Sequence, residues 1–525
     1  MKQIATTEKM REKEGRIMQK CGIPSCVLME RAAVSAASLI RKRFPTAGAA
    51  TVLCGMGNNG GDGIALSRIL FEKGWQVRLL FVGNPEKRSE ENQQQLTILE
   101  TILTPFQRKA SGAFVEVSFF EEESARQQDA SCIYVDAMLG IGCSRPLSGD
   151  YEKAALWMNA ASGFKLSLDV PTGINADTGF CPANEAGEKV FVKADQTITF
   201  GAPKPGLFLS DGRYAAGSVT VSSCGIFYQR EQAVCGMMPE KSDLKETLSR
   251  DPRGHKGSFG KVVLYAGSGK VPGALHLAAK AAFMSGCGYL KVLSDEVLQG
   301  PLIAAVPEVV FTSLPREESK LEETILQHVR FGDVIAAGPG IGTGEEACQR
   351  LRCLFEVVAR ESVKPILLLD ADALTLLSRH EELWEALQRT KARKILTPHM
   401  AEFARLTGLT TEQIAADRLS IALNFAKEKD CVLVLKDAGT LVCSEDGRYA
   451  LCHGGNDGMA VAGSGDCLLG VIAALSGRRR EAFSGALFGV YLHGLAGDKA
   501  AGVLGKNSMR PSDLIRSIPA VIKGL

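Results

Sequence analysis

The chain has 525 residues, with 61 Lys and Arg against 59 Asp and Glu for a formal charge of +2. That length calls for two or three domains, and the balanced charge argues against a polyanionic partner such as nucleic acid. An apolar share of 45% and fifteen cysteines with no CxxC pair describe a globular protein with reduced core thiols, not a disulfide or zinc scaffold. Met1 to Thr6 lead into a charged helical stretch, unlike a signal segment, and no apolar run reaches the roughly 18 residues of a membrane span, so a cytoplasmic location is expected.

In chain order, strand-like and helix-like runs alternate. Strands are expected at Ala50–Cys54, Val77–Val82, Cys132–Val135, Leu166–Leu168 and Thr197–Phe200, with a helix through Ile64–Leu70. The pattern breaks between Phe227 and His255, where Gln229–Gln232 are polar and Asp251-Pro252-Arg253-Gly254 is a breaker cluster. A second series follows at Val262–Ala266, Val334–Ala337, Ile366–Leu369, Lys394–Leu396 and Val432–Leu435. Short apolar strands separated by helices imply mainly parallel sheets covered on both faces, hence an α/β fold of two three-layer α/β/α domains, 1–235 and 236–525.

Three loops of the first half carry polar residues at strand ends. Gly55-Met56-Gly57-Asn58-Asn59-Gly60 matches G-x-G-x-x-G between a strand and a helix, and Gly61 and Asp62 follow. The next strand ends Phe81-Val82-Gly83 without the acidic residue that holds a ribose, which argues against an ordinary dehydrogenase. Asp136 begins a loop through Gly140, Ile141, Gly142, Cys143, Ser144, Arg145 and Pro146, and Ser167-Leu168-Asp169-Val170-Pro171-Thr172-Gly173 begins another. In a parallel sheet these carboxylates gather on one edge. Individually, each aspartate also fits a solvated turn or a helix cap.

The second half ends its strands in a comparable way. Ala266-Gly267-Ser268-Gly269-Lys270 fails as a P-loop, because Val271 stands where a hydroxyl should bind magnesium. Pro272-Gly273-Ala274 opens a helix, Gly338-Pro339-Gly340-Ile341-Gly342 exposes backbone amides, and Asp370-Ala371-Asp372 ends another strand. Thr397-Pro398-His399 places a histidine that suits either a ligand contact or a structural hydrogen bond. Lys436 and Thr440 offer a cation and a hydroxyl where phosphates could lie, with Asp437, Ala438 and Gly439 between them. Finally Gly463-Ser464-Gly465-Asp466 runs into an apolar helix. Amides at a helix start form an anion site, and an aspartate inside it makes sense if it takes a proton from a hydroxyl while the amides stabilise a transferring phosphoryl group.

The first-half loops resemble the epimerase family that acts on hydrated reduced nicotinamide dinucleotides, a Rossmann-like fold. That resemblance implies that Asn58, Asn59, Gly60, Gly61, Asp62 and the Gly140–Pro146 loop bind the hydrate. It also implies K+ at Asn59, Asp136 and Thr172, with Asp169 as catalytic acid/base. Met29-Glu30-Arg31-Ala32-Ala33 departs from that family's Glu-Asn-Ala-Gly. The second half resembles the ribokinase-like dehydratase family that repairs hydrated NADH and NADPH with a nucleotide. By that resemblance Ala274, Gly340 and His399 contact the hydrate, Lys436, Asp437, Ala438, Gly439, Thr440 and Gly465 hold the nucleotide, and Asp466 acts on the substrate. Asp437 replaces the glycine usual there, which brings a negative charge near the phosphates unless the side chain turns outward. The resemblance further implies ADP or ATP as co-substrate, Mg2+, the substrates NADHX and NADPHX, and a homo-oligomer without a membrane or nucleic-acid partner. The rival reading is a ribokinase-like small-molecule kinase fused to a non-catalytic dinucleotide-binding module.

Overall fold

The computed structural model describes residues 1–106, 113–121, 131–226 and 236–525. The polar run 229–232 lies outside the described residues, and the expected boundary at 235/236 falls at their edge. Chain contacts define two units, Gln3–Ala233 and Val234–Leu525 with Met1–Lys2.

The first unit holds a seven-stranded parallel sheet: β1 (Ala49–Cys54), β2 (Gln76–Phe81), β3 (Phe114–Phe119), β4 (Ile133–Ala137), β5 (Phe164–Leu168), β6 (Gln196–Phe200) and β7 (Ser218–Ser222). Its order is β3-β2-β1-β4-β5-β6-β7, with Cys54 opposite Ala137 and Asp136 opposite Ser167. The order reverses between β1 and β4, so the loops leaving these strands open the crevice in which such sheets bind ligands. Central strands are apolar because both faces are covered; Val52, Leu53, Ile133 and Val135 are fully buried. The outer strands β3 and β7 escaped the sequence reading. Their residues alternate with polar ones and stay half exposed, so they lack the apolar-run signature.

The second unit contains β8 (Gly236–Met238), β9 (Lys261–Tyr265), β10 (Tyr289–Ser294), β11 (Val310–Ser313), β12 (Val334–Ala337), β13 (Ile366–Leu369), β14 (Lys394–Leu396), β15 (Val432–Leu435), β16 (Thr440–Cys443) and β17 (Tyr449–Cys452). They run β11-β10-β9-β12-β13-β14-β15-β16-β17-β8, parallel except where β16 pairs antiparallel with β15 and β17. Here the order reverses between β9 and β12. The helix Ser464–Arg479 is buried on most faces, packed between Pro272–Met284 and Ala482–Leu504. Its Gly470 lies so near the first of these that an added methyl would sit 2.2 Å from the Ala278 carbonyl oxygen.

All fourteen described cysteines are free thiols and ten are buried. Among the described residues no single helix is long and apolar enough to cross a membrane; Thr7–Cys21 and Ser25–Arg43 reach that measure only as a pair bent by 120°.

Candidate active sites

In the first unit, glycines let the switch-point loops close on one another. The Gly55 amide donates to the Ala137 carbonyl at 3.1 Å, and a methyl on Gly55 would fall 2.0 Å from the Met138 carbonyl oxygen. Gly60 and Gly61 are buried at the start of the Asn58–Glu72 helix, where added methyls would meet the Gly55 carbonyl oxygen at 1.9 Å and Met29 Cε at 2.7 Å. Their smallness therefore serves helix docking first. Fully buried Asn92 braces the turn, donating from Nδ2 to the Gly55 and Gly57 carbonyls at 3.0 and 2.8 Å. Asn58 accepts from Ser89 Oγ at 2.8 Å.

The two acidic loops join the same crevice. Buried Asp136 accepts from Thr172 Oγ1 at 2.7 Å, the Thr172 amide at 2.8 Å, Ser167 Oγ at 2.9 Å and the Met138 amide at 3.2 Å. Burial raises its pKa and the bonds from Thr172 oppose that rise. The Leu139 amide donates to Thr172 Oγ1 at 2.9 Å. Gly140 faces both Asp169 and Asn59: a methyl there would lie 3.3 Å from Asp169 Oδ2 and 3.4 Å from Asn59 Cβ. Both amide atoms of Asn59 are buried without a hydrogen-bond partner. The unpartnered Asn59 amide oxygen, the Asp136 carboxylate and the Thr172 hydroxyl are hard-oxygen donors of the kind an alkali cation takes. The group fits K+ on that ground, although Asp136 and Thr172 here bond to each other.

Asp169 follows β5 at φ 66°, a left-handed backbone that is rare for a residue with a side chain. Its Oδ1 accepts from Lys204 Nζ at 2.5 Å and from Thr199 Oγ1 at 3.2 Å. Lys204, 1% exposed, donates further to Thr199 Oγ1 at 2.9 Å and the Phe200 carbonyl at 2.7 Å. Asp62 and Glu14 complete the cluster. Burial pushes both carboxyls up, Asp62 well above the usual range, with Asp169 adding to each shift and Lys204 opposing it. One ion-paired carboxylate beside two carboxyls biased toward the neutral form can exchange protons with a bound substrate. Further along the second loop, Gly142, Cys143, Ser144, Arg145 and Pro146 line an open cavity of about 320 Å³ with Tyr151. Ile141 is half-buried beside them, and Asn58 to Asp62 do not line this cavity.

In the second unit, Gly267 donates to the Pro339 carbonyl at 2.7 Å and Gly338 to the Tyr265 carbonyl at 3.1 Å, tying the loops after β9 and β12 together. Gly340, at φ 69°, faces Val271, which caps the Pro272–Met284 helix carrying buried Ala274 in its first turn. Gly463, at φ 94°, begins the Ser464–Arg479 helix, and a methyl on it would sit 2.6 Å from Leu277 Cδ1. Two helix starts and a glycine loop thus converge. Buried His493 steadies the turn through Nε2, 3.1 Å from the Ser464 carbonyl oxygen. Burial lowers its pKa to about 4, so at neutral pH it is an uncharged donor.

Asp466 stands in the first turn of this helix. Burial and then Asp370 raise its carboxyl to about 6, against the attraction of Lys436. Lys436 Nζ donates to Asp370 Oδ1 at 2.8 Å. The Lys436 amide donates to the Pro398 carbonyl at 2.9 Å, which sets His399 beside it in a β-bridge. His399 Nδ1 accepts the Ala401 and Glu402 amides at 3.2 and 3.3 Å, so this ring caps the Met400–Thr407 helix while its side chain stays half exposed. Glu402 is raised mainly by burial; Lys436 opposes the shift and Asp370 adds to it.

Asp437 is ion-paired: its Oδ2 accepts from Arg418 Nη1 at 3.0 Å. Arg418 is 1% exposed and also donates to the Leu435 carbonyl at 3.1 Å. A buried guanidinium therefore offsets the charge that replaced glycine. Ala438 and half-exposed Thr440 flank buried Gly439, and Thr440 Oγ1 donates to the Asp437 carbonyl at 3.2 Å. Sequence reasoning assigned no role to Asn92, Lys204, Asp370, Glu402, Arg418 or His493. Only Asp370 carried a signal, as a strand-end aspartate.

The family described as NAD(P)H-hydrate dehydratase matches residues 262–520, and the one described as YjeF-related protein N-terminus matches residues 25–206. The bifunctional NAD(P)H-hydrate repair enzyme Nnr of Thermofilum pendens is 34% identical over 532 residues, spanning 99% of this chain and 96% of its own. That of Escherichia coli K12 is 30% identical, spanning 95% of this chain and 90% of its own. Among solved structures, the ADP/ATP-dependent NAD(P)H-hydrate dehydratase of Bacillus subtilis, co-crystallised with ATP and Mg2+, is 26% identical over 55% of this chain and 98% of its own, with a TM-score of 0.47.

Proposed function

This chain belongs to the family of bifunctional NAD(P)H-hydrate repair enzymes, and from that premise we propose which of its residues carry the two reactions. The first unit interconverts the R and S epimers of hydrated NADH and NADPH. Asp169, held by Lys204, moves the proton at the hydroxyl-bearing carbon's ring opening and closure, with Asp62, its carboxyl pushed up by burial, as its nearby counterpart. Asn58 to Asp62 and Gly140 to Pro146 hold the hydrate. K+, carried by Asn59, Asp136 and Thr172, would supply fixed positive charge against the dinucleotide phosphates.

The second unit dehydrates the S epimer with a nucleotide, ADP in preference to ATP, arriving as its Mg2+ complex. Ala274, Gly340 and His399 face the hydrate, and Lys436 to Thr440 with Gly465 hold the nucleotide. Asp466 takes the proton of the substrate hydroxyl as its oxygen attacks the terminal phosphoryl group; the bond from that phosphorus to the bridging oxygen breaks, the nucleotide leaves one phosphate shorter, and the first-turn amides stabilise the charge in transfer. The ring nitrogen lone pair then expels phosphate, and loss of a proton from the adjacent ring carbon restores the dihydronicotinamide. The observation that carries this reading is Asp466 in the first helical turn, with Lys436 and Gly465 beside it. A cytoplasmic homo-oligomer is the setting we propose.

The test is recovery of reduced-nicotinamide absorbance from mixed R and S NADHX with Mg2+ and K+, comparing ADP, ATP and no nucleotide. Nucleotide-dependent recovery that consumes both epimers is expected. A stall once the S form is spent would reduce the first unit to a binding module. A stable phosphorylated product would favour the kinase reading.

A further inference from the structure

Asp370 closes β13 with a side chain only 3% exposed, and the reaction above gives it no task. Its Oδ1 accepts from Lys436 Nζ at 2.8 Å. A methyl placed on Gly465 would lie 3.6 Å from that ammonium and 3.8 Å from Asp370 Oδ2. Carboxylate and ammonium therefore sit together over the first turn of the Ser464–Arg479 helix, next to Asp466. The following residue, Ala371, holds φ 52° and ψ −118°, a backbone that any side chain makes costly. Across this strained residue the two aspartates part company: Asp370 goes to Lys436, while Asp372 Oδ2 accepts from the Gly342 amide at 2.9 Å.

A carboxylate at a phosphate site repels the nucleotide and competes for the cation, so it weakens binding. Its advantage is order. A lysine ammonium held in place beforehand needs no rearrangement when charge develops on the phosphoryl group, whereas a loose one samples many rotamers. We propose that Asp370 is a positioning residue of the dehydratase site, fixing Lys436 over the helix start so that phosphoryl transfer gains at the expense of nucleotide affinity. The inference rests on the assignment of Lys436 to the nucleotide.

The experiment compares Asp370→Asn with the wild-type full chain. Asparagine keeps the shape and removes the charge. Calorimetric titration with Mg-ADP and Mg-ATP is expected to give binding severalfold tighter than wild type. Turnover in dehydration should fall about tenfold or more, as for the loss of other preorganised charge. Epimerisation by the same molecule should be unchanged, which checks that the chain has folded. Should that variant fold poorly, Ala371→Gly relieves the strained backbone and loosens the hold of Asp370 on Lys436; it should lower kcat while nucleotide affinity rises, with no loss of thermal midpoint. Wild-type kcat in Asp370→Asn, or affinity and kcat falling in the same proportion, would overturn the proposal. If wild type binds nucleotide yet restores no NADH from the S hydrate, the functional reading fails by itself. Tighter nucleotide binding by Asp370→Asn would still support the role of Asp370, and unchanged or weaker binding would overturn it.

Discussion

Burial lifts the Asp466 carboxyl to about 6, so it holds a proton over a range in which an exposed aspartate is ionised. A general base must be ionised, so kcat/KM for dehydration should fall as pH drops through about 6, read from a pH-rate profile. The same shift bears on stability with a definite sign. Because the folded state binds this proton more tightly than the unfolded chain, stability falls as pH rises from about 4 to 6 and stays lower above it. Asp466→Asn should therefore abolish dehydration and raise the thermal midpoint at pH 7.5, measured by calorimetry. Lys204 works in the opposite direction: it is the buried cation that makes the Asp169 carboxylate tolerable. Lys204→Met should cost about 3–5 kcal/mol, as expected when a buried pair loses one partner. It should also slow epimer exchange about a hundredfold or more, followed by NMR of the two hydrates.

At the scale of elements, the contact between Ser464–Arg479 and Pro272–Met284 aligns the two helix starts that flank the second site. Gly470 sets that spacing. Gly470→Ala should force the helices apart at a cost of about 1–3 kcal/mol. The thermal midpoint of the second unit should drop, and dehydration should weaken more than epimerisation. The central strands, the Gly55 to Asp62 turn and the Gly463 to Asp466 helix start were legible in the sequence because each is a local pattern. Apolar runs mark strands buried on both faces, and glycines followed by a polar residue mark a helix start. Lys204 beside Asp169, Arg418 beside Asp437 and Asn92 beneath Gly55 were not legible. Each partner is brought in by the sheet or by a helix packed on it, from 35, 19 and 37 residues away, and no local spacing announces such a meeting. The outer strands β3 and β7 were missed for a related reason, since half-exposed alternation reads as loop.

Across the whole molecule, each unit carries its own sheet and switch point, and the acid/base groups proposed for the two reactions, Asp169 and Asp466, lie in different units, so the two reactions should be separable. Asp169→Asn should leave S-hydrate dehydration intact while a mixed sample stalls with the R form unspent. Asp466→Asn should keep exchanging epimers without releasing NADH, and chromatography of both hydrates distinguishes the two outcomes. The distribution of thiols adds something of a different kind. Cys54, Cys143, Cys181 and Cys224 are buried in the first unit, and Cys287, Cys348, Cys431, Cys443, Cys452 and Cys467 in the second, whereas Cys21 and Cys132 are exposed. Burial pushes these interior thiols up and keeps them protonated, so an alkylating reagent finds a nucleophile only after the surrounding sheet has opened. Pulse labelling followed by peptide mass mapping should mark Cys21 and Cys132 at once and the interior set only as its own half breathes. The molecule thus carries a built-in tally of its excursions, from which the order in which the halves come apart can be counted without adding a probe.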